Sequence, residues 1–168
     1  MKQVDWITYK IDHSYEIDGM VKEAVITLRF PNEPSFKEQV FFESFRSMEY
    51  TSKDDEGMTY SLSMMKIPPN FDLENSISSL VNGIEESKNN HLVEVERMYC
   101  VVDGNTEWTA VLISYLYHEN QMTRMMMIRG GDHTLYTLGT MVNHTDPNDT
   151  QDLEKTSYFF QSFEWISK

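Results

Sequence analysis

Two Asp-Gly pairs divide this chain, and each lies between runs in which apolar and polar residues alternate. Asp18-Gly19 separates residues 6–17 from residues 21–30, and Asp103-Gly104 separates residues 92–102 from residues 105–117. Asp-Gly in that setting predicts a β-hairpin, because both central residues of a type I′ turn need positive φ. Turn signals at Glu119-Asn120 and Gly130-Gly131-Asp132 extend the second hairpin into a four-stranded antiparallel meander over 92–102, 105–117, 121–129 and 133–142. Upstream, residues 40–50 and 58–67 form another predicted pair around Asp54-Asp55-Glu56-Gly57.

Two helices punctuate the strands. Pro68-Pro69 stops the preceding strand, and Leu73, Ile77, Leu80, Val81 and Ile84 then recur on one helical face, with Asp72 placed to cap the first turn. A second helix starts near Asp149 or Thr150. Its apolar side takes in Leu153, Phe160 and Phe163, with Phe159 and Ile166 widening the stripe, so YFFQSFEWI (residues 158–166) reads as helical. Most of that segment is predicted core, with Tyr158 and Trp165 left off the central stripe as candidates for an exposed remainder.

The strand patterns predict what covers the helices. Tyr60, Leu62 and Met64 alternate with Ser61 and Ser63, whereas residues 108–117 are apolar on both faces, as a central, doubly covered strand would be. The expected fold is α+β: a mainly antiparallel sheet of about six to eight strands with helices packed on both faces. With 168 residues and no long linker, residues 1–168 read as one domain.

Charge and composition narrow the function. Asp and Glu number 27 against 14 Lys and Arg, a formal net charge of −13. That field repels nucleic-acid phosphates, so no nucleic-acid partner is expected. No run approaches the length of a membrane span, so no integral membrane segment is expected. MKQVDWITYK lacks the apolar core of a signal peptide, which places the chain as written in the cytoplasm; removal of an upstream signal would make it exported or a lipoprotein.

Catalytic patterns are not apparent. His13, His91, His118, His133 and His144 stand singly, without a metal-ligand spacing, so no metal or cofactor is expected. Asp132-His133 after two glycines could be half of an acid–base pair, but Gly and Asp there favour a solvated turn. Cys100, the single cysteine, lies in apolar MYCVV and reads as an inert thiol. The twelve methionines include Met125-Met126-Met127; they serve either as core filling or, with Met58, Met64, Met65, Met125 and Met127 in a groove, as a surface for varied apolar partners.

The order of segments resembles the PsbP-like superfamily. The resemblance rests on LRFP at 28–31, the alternating strand at 60–64, the helix after a Pro pair, the DG hairpin into EWTAVLISY, LYTL at 135–138 and FFQSF at 159–163. It implies a sandwich of antiparallel sheet and helices, and it brings no family-wide catalytic residues. Its members include a photosystem II extrinsic subunit, DcrB-type lipoproteins and effector-associated chaperones of type VI secretion. The expected function is therefore a non-enzymatic protein-binding or accessory domain, docking on a larger complex through an acidic, partly aromatic surface. The alternative is a cytosolic bacterial secretion chaperone that shields an apolar effector segment. A small-ligand carrier with a pocket between helix and sheet is a third possibility. Candidate partner-binding residues are Trp165, Tyr158, Met125, Met127 and Met64, with a homodimer possible.

Overall fold

A computed structural model describes residues 5–40, 46–143 and 147–168. Among them are ten strands and two helices: β1 (Ile7–Ile17), β2 (Met20–Phe30), β3 (Ser35–Val40), β4 (Arg46–Lys53), β5 (Thr59–Lys66), α1 (Leu73–Glu86), β6 (His91–Val102), β7 (Thr106–Tyr117), β8 (Gln121–Arg129), β9 (Thr134–Val142), α2 (Thr150–Gln161) and β10 (Glu164–Ser167). They form a three-stranded sheet, β1-β2-β10, and a seven-stranded sheet, β3-β4-β5-β9-β8-β7-β6, antiparallel throughout.

The predicted turns are where the sequence put them. Asp18 (φ 52°) and Gly19 (φ 75°) connect Ile17 to its partner Met20, and Asp103 (φ 51°) and Gly104 (φ 86°) open the loop between β6 and β7. The meander then runs back β6, β7, β8, β9, and β9 closes onto β5. Between β5 and β6, helix α1 carries the chain across one face of the large sheet to its far edge. Asp72 caps it by accepting a hydrogen bond from the Asn75 amide at 3.2 Å. Leu73, Ile77 and Ile84 bury against Val111, Ile113 and Leu135, with Met65, Met125 and Met127 packed around them.

The opposite face corrects the expectation of helices packed on both faces. That face is covered chiefly by a second sheet: Ile11, Ala24, Ile26, Leu28 and Phe30 meet Tyr60, Leu62, Met64, Ala110, Ile128, Tyr136 and Leu138 in one core. The molecule is dominated by antiparallel sheet, and hairpin β1-β2 forms a separate sheet with β10, which pairs with β2. β7 is indeed covered on both sides, yet it lies next to an edge strand; β9 is the middle one. Of the predicted strand at 40–50, Val40 ends β3 and residues 46–50 belong to β4; residues 41–45 lie outside the described residues.

YFFQSFEWI is helix and strand in succession. Ser162 stops α2: its hydroxyl donates to the Phe159 carbonyl at 2.7 Å and accepts from the Arg29 amide at 3.0 Å. From Glu164 onward the chain pairs with β2, Trp165 opposite Ile26. Phe159 is fully buried between Phe30 and Tyr60, whereas Leu153, read as part of the apolar stripe, is 41% exposed. A further tie fixes α2: buried Lys155 reaches Asp54 at 3.2 Å and Glu56 at 3.0 Å in the β4–β5 turn. Phe159→Ala is expected to lower the unfolding free energy by about 3–5 kcal/mol in chemical denaturation, and Leu153→Ala by less than about 1 kcal/mol.

Candidate functional site

Three features compete for a functional role: a buried polar cluster, a cavity beneath α2 and an open sheet edge. The cluster centres on Asp132, which is 3% exposed. Its Oδ2 accepts hydrogen bonds from Trp165 Nε1 at 3.0 Å, from the Tyr136 hydroxyl and from His13 Nε2 at 3.1 Å, and its Oδ1 accepts from the Thr134 amide at 3.2 Å. β1, the β8–β9 loop, β9 and β10 therefore meet at one carboxylate. Asp132 is not part of a solvated turn, and its imidazole partner is His13, 119 residues away, rather than neighbouring His133. Gly130 makes room for it, since a Cβ there would collide with Asp132 Oδ1 and lie 2.9 Å from the Thr134 carbonyl.

The cluster is not wired as a catalytic relay. A relay needs the carboxylate on one imidazole nitrogen and the nucleophile on the other. Here Asp132 and the Thr134 hydroxyl (3.3 Å) both face Nε2 of His13. A cavity of about 470 Å³ adjoins it, lined in part by His13, Tyr15, Met48 and Lys66. His13, Asp132 and Thr134 of the cluster also line this cavity.

The cavity between α2 and strands β6–β8 has a different character. Its volume is also about 470 Å³, and it is lined by Met98, Leu112, Met126 and Phe160 among apolar groups. Ser114 and Arg124 face each other across β7 and β8, and both are buried, at 2% and 4% exposure. Arg124 donates through Nη2 to the Pro147 carbonyl at 2.9 Å. Among the described residues, its Nη1 and the Ser114 hydroxyl have no hydrogen-bond partner. Burial pushes the Arg124 pKa down, against the fields of Asp152, Glu94 and Asp149.

The third feature is β6, the edge of the large sheet beside this cavity. Val93, Tyr99 and Val101 are exposed, the last two at 67% and 58%. Arg97 is held by Glu74 of α1 at 2.8 and 2.9 Å, which leaves Glu94, Glu96 and the cross-strand Glu107 as the exposed charges there. The other edge, β3, carries Lys37 and Glu38 in mid-strand, the usual protection against pairing with another chain. The stretch 98–102 of β6, MYCVV, has no such charge.

The sequence-derived partner residues are not brought together. Trp165, expected as part of an exposed remainder, is buried with its indole on Asp132, and Met64 is core filling between the sheets rather than part of an open groove. Met58 is likewise 1% exposed, and Met125 and Met127 are half-buried under α1. Tyr158 is half-buried, accepting from Arg29 Nη1 at 2.7 Å and meeting the edge of Trp6. Burial raises the Cys100 thiol's pKa, in keeping with an inert role, and His144 lies outside the described residues. Sequence reasoning missed Arg124 and His13, although a signal existed. Period two puts Arg124 in line with Met122, Met126 and Ile128, and His13 in line with Ile11, so a polar residue stands in each buried row.

Neither helix is long and apolar enough to cross a membrane. No family model matches the chain, and no curated protein matches it.

Asp132→Asn is expected to cost about 3 kcal/mol in chemical denaturation, because it turns one acceptor oxygen into a donor amid four donors. Alkaline pH tests the phenols. Tyr136 is pushed far above its ordinary pKa, chiefly by burial and then by Asp132, and Tyr60 likewise by burial and Asp54. The folded state thus keeps protons that the unfolded chain gives up. Their stabilising contribution is complete below the unfolded phenol pKa of about 10 and is lost as pH rises above it. Each phenol should steepen the fall of unfolding free energy above about pH 10 by up to about 1.4 kcal/mol per pH unit, and Tyr136→Phe should remove one such contribution.

Proposed function

We propose that this chain is a non-catalytic, protein-binding domain that docks on a larger assembly by receiving a partner's extended segment along the open edge of β6. The observation that carries the reading is the uncharged stretch MYCVV on that edge, with Tyr99 and Val101 largely exposed. An unpaired strand edge offers a row of amides and carbonyls to an incoming strand, and alternate side chains of the edge give specificity. Glu94, Glu96 and Glu107 flank it, and the chain's net charge is −13, so the partner segment would be apolar and basic. The absence of a relay at His13, with both neighbours on one nitrogen, supports a binding rather than a catalytic role. A PsbP-like accessory role belongs to the same reading and rests on the order of segments alone. The methionines that a chaperone groove would use are packed in the two cores instead, which favours docking over shielding of a long apolar segment.

The test is capture from the native cells by tagged wild-type protein and by Val101→Lys, which puts a charge on the edge without touching either core. Wild type should retain a dominant partner and Val101→Lys should reduce its recovery by at least about tenfold, a change of about 1.4 kcal/mol. Equal recovery from both would remove β6 as the docking edge.

A further inference from the structure

We propose that the cavity between α2 and β6–β8 is a binding site for a small amphipathic monocarboxylate, a ligand that goes beyond the protein-docking reading. Its carboxylate would sit on Arg124 Nη1 and the Ser114 hydroxyl, and its tail would lie along Leu112, Met126, Met98 and Phe160.

The geometry points to this class by elimination. Arg124 is anchored by one nitrogen, Nη2 on the Pro147 carbonyl, while its other terminal nitrogen is buried without a partner. A second unpartnered donor, the Ser114 hydroxyl, is opposite it in the β7–β8 register. Two unmade hydrogen bonds on neighbouring strands are costly to a protein unless something completes them. A guanidinium completes its bonds best with an anionic oxygen, which a hydroxyl can bind alongside. Glu94 lines the cavity as well, and the fields of Asp152, Glu94 and Asp149 reach the same guanidinium, so the ligand carries no more negative charge than the one carboxylate that the guanidinium faces. That disfavours phosphates and dicarboxylates relative to a single carboxylate. The remaining lining is largely apolar, with Glu94, Thr156, Ser157 and Gln161 as its polar members, and a volume of about 470 Å³ falls within the range of small-molecule sites. Ser157 and Gln161, exposed positions of α2, line the cavity from the helix side.

Octanoate is the probe, titrated calorimetrically into the full chain against 1-octanol and succinate. Octanoate should bind at least about tenfold more tightly than octanol, and succinate should not bind. Arg124→Met should abolish the preference for octanoate over octanol. Ser114→Ala, which removes only a hydroxyl, should weaken octanoate about threefold or more and serves if Arg124→Met does not fold. Ser157→Trp, at an exposed helix position, should block octanoate and octanol together. Equal affinity for octanoate and octanol would overturn the proposal, as would octanoate binding untouched by Ser157→Trp and Ser114→Ala. A short peptide with an apolar C-terminal residue that binds through its free carboxylate, where octanoate does not, would also overturn it by assigning the site to a chain end.

Discussion

One buried carboxylate ties the two sheets of this molecule together. Asp132 lies in the loop before β9, in the large sheet, yet two of its donors, His13 and Trp165, come from the small one. The inter-sheet core around it is apolar and non-directional, so it would tolerate sliding between layers. Hydrogen bonds to a fixed oxygen do not, because a shift of one residue would leave buried donors unpaired. Trp108 stacks on Tyr136 at 6.0 Å and meets Trp165 edge-on at 5.0 Å, which packs aromatic rings around the carboxylate. The polar cluster thus fixes the relative position of the layers, and apolar burial supplies most of the stability.

The surfaces offered for binding are by-products of the same topology. Because α1 carries the chain from β5 to the far edge, β6 has a strand partner in its sheet on one side only, while just past its end the Asp103 amide donates to the Trp165 carbonyl of β10 at 3.1 Å. Because the small sheet has three strands against seven, it leaves part of the large sheet to α2, and the helix, packed against β2 and β9, leaves a cavity between itself and β6–β8. The cavity and the open edge are therefore adjacent and share β6. One is lined by two unpartnered polar atoms, and the other presents exposed apolar side chains; each is unusual in a folded protein, where buried polar groups are paired and edges are guarded.

Local order was legible in the sequence, and long-range partnership was not. Asp18-Gly19 and Asp103-Gly104 announced their turns because backbone sterics act over two residues. Helix α1 was readable from one apolar face and one capping aspartate. β3 escaped because SFKEQV is mostly polar, as a guarded edge should be. β10 escaped because FFQSFEWI keeps helical spacing through Ser162, and only the bonds of that side chain to Phe159 and Arg29 end the helix. The layer covering the large sheet was taken for helix since β1 and β2 alternate much as an added hairpin of the same sheet would. Asp132 looked like a turn residue because its partners lie far away in sequence. Arg124 and His13 could have been found, each being a polar residue in an otherwise buried row.

If the Asp132 cluster joins the two sheets, they open as one cooperative unit. Native-state hydrogen exchange measures this directly, amide by amide. The slowest amides of β1 and β2 should exchange with the same opening free energy as those of β8 and β9, through global unfolding. Opening of β1, β2 and β10 at a distinctly lower free energy, with β8 and β9 still protected, would contradict it and leave Asp132 as a local bond rather than the joint between the layers.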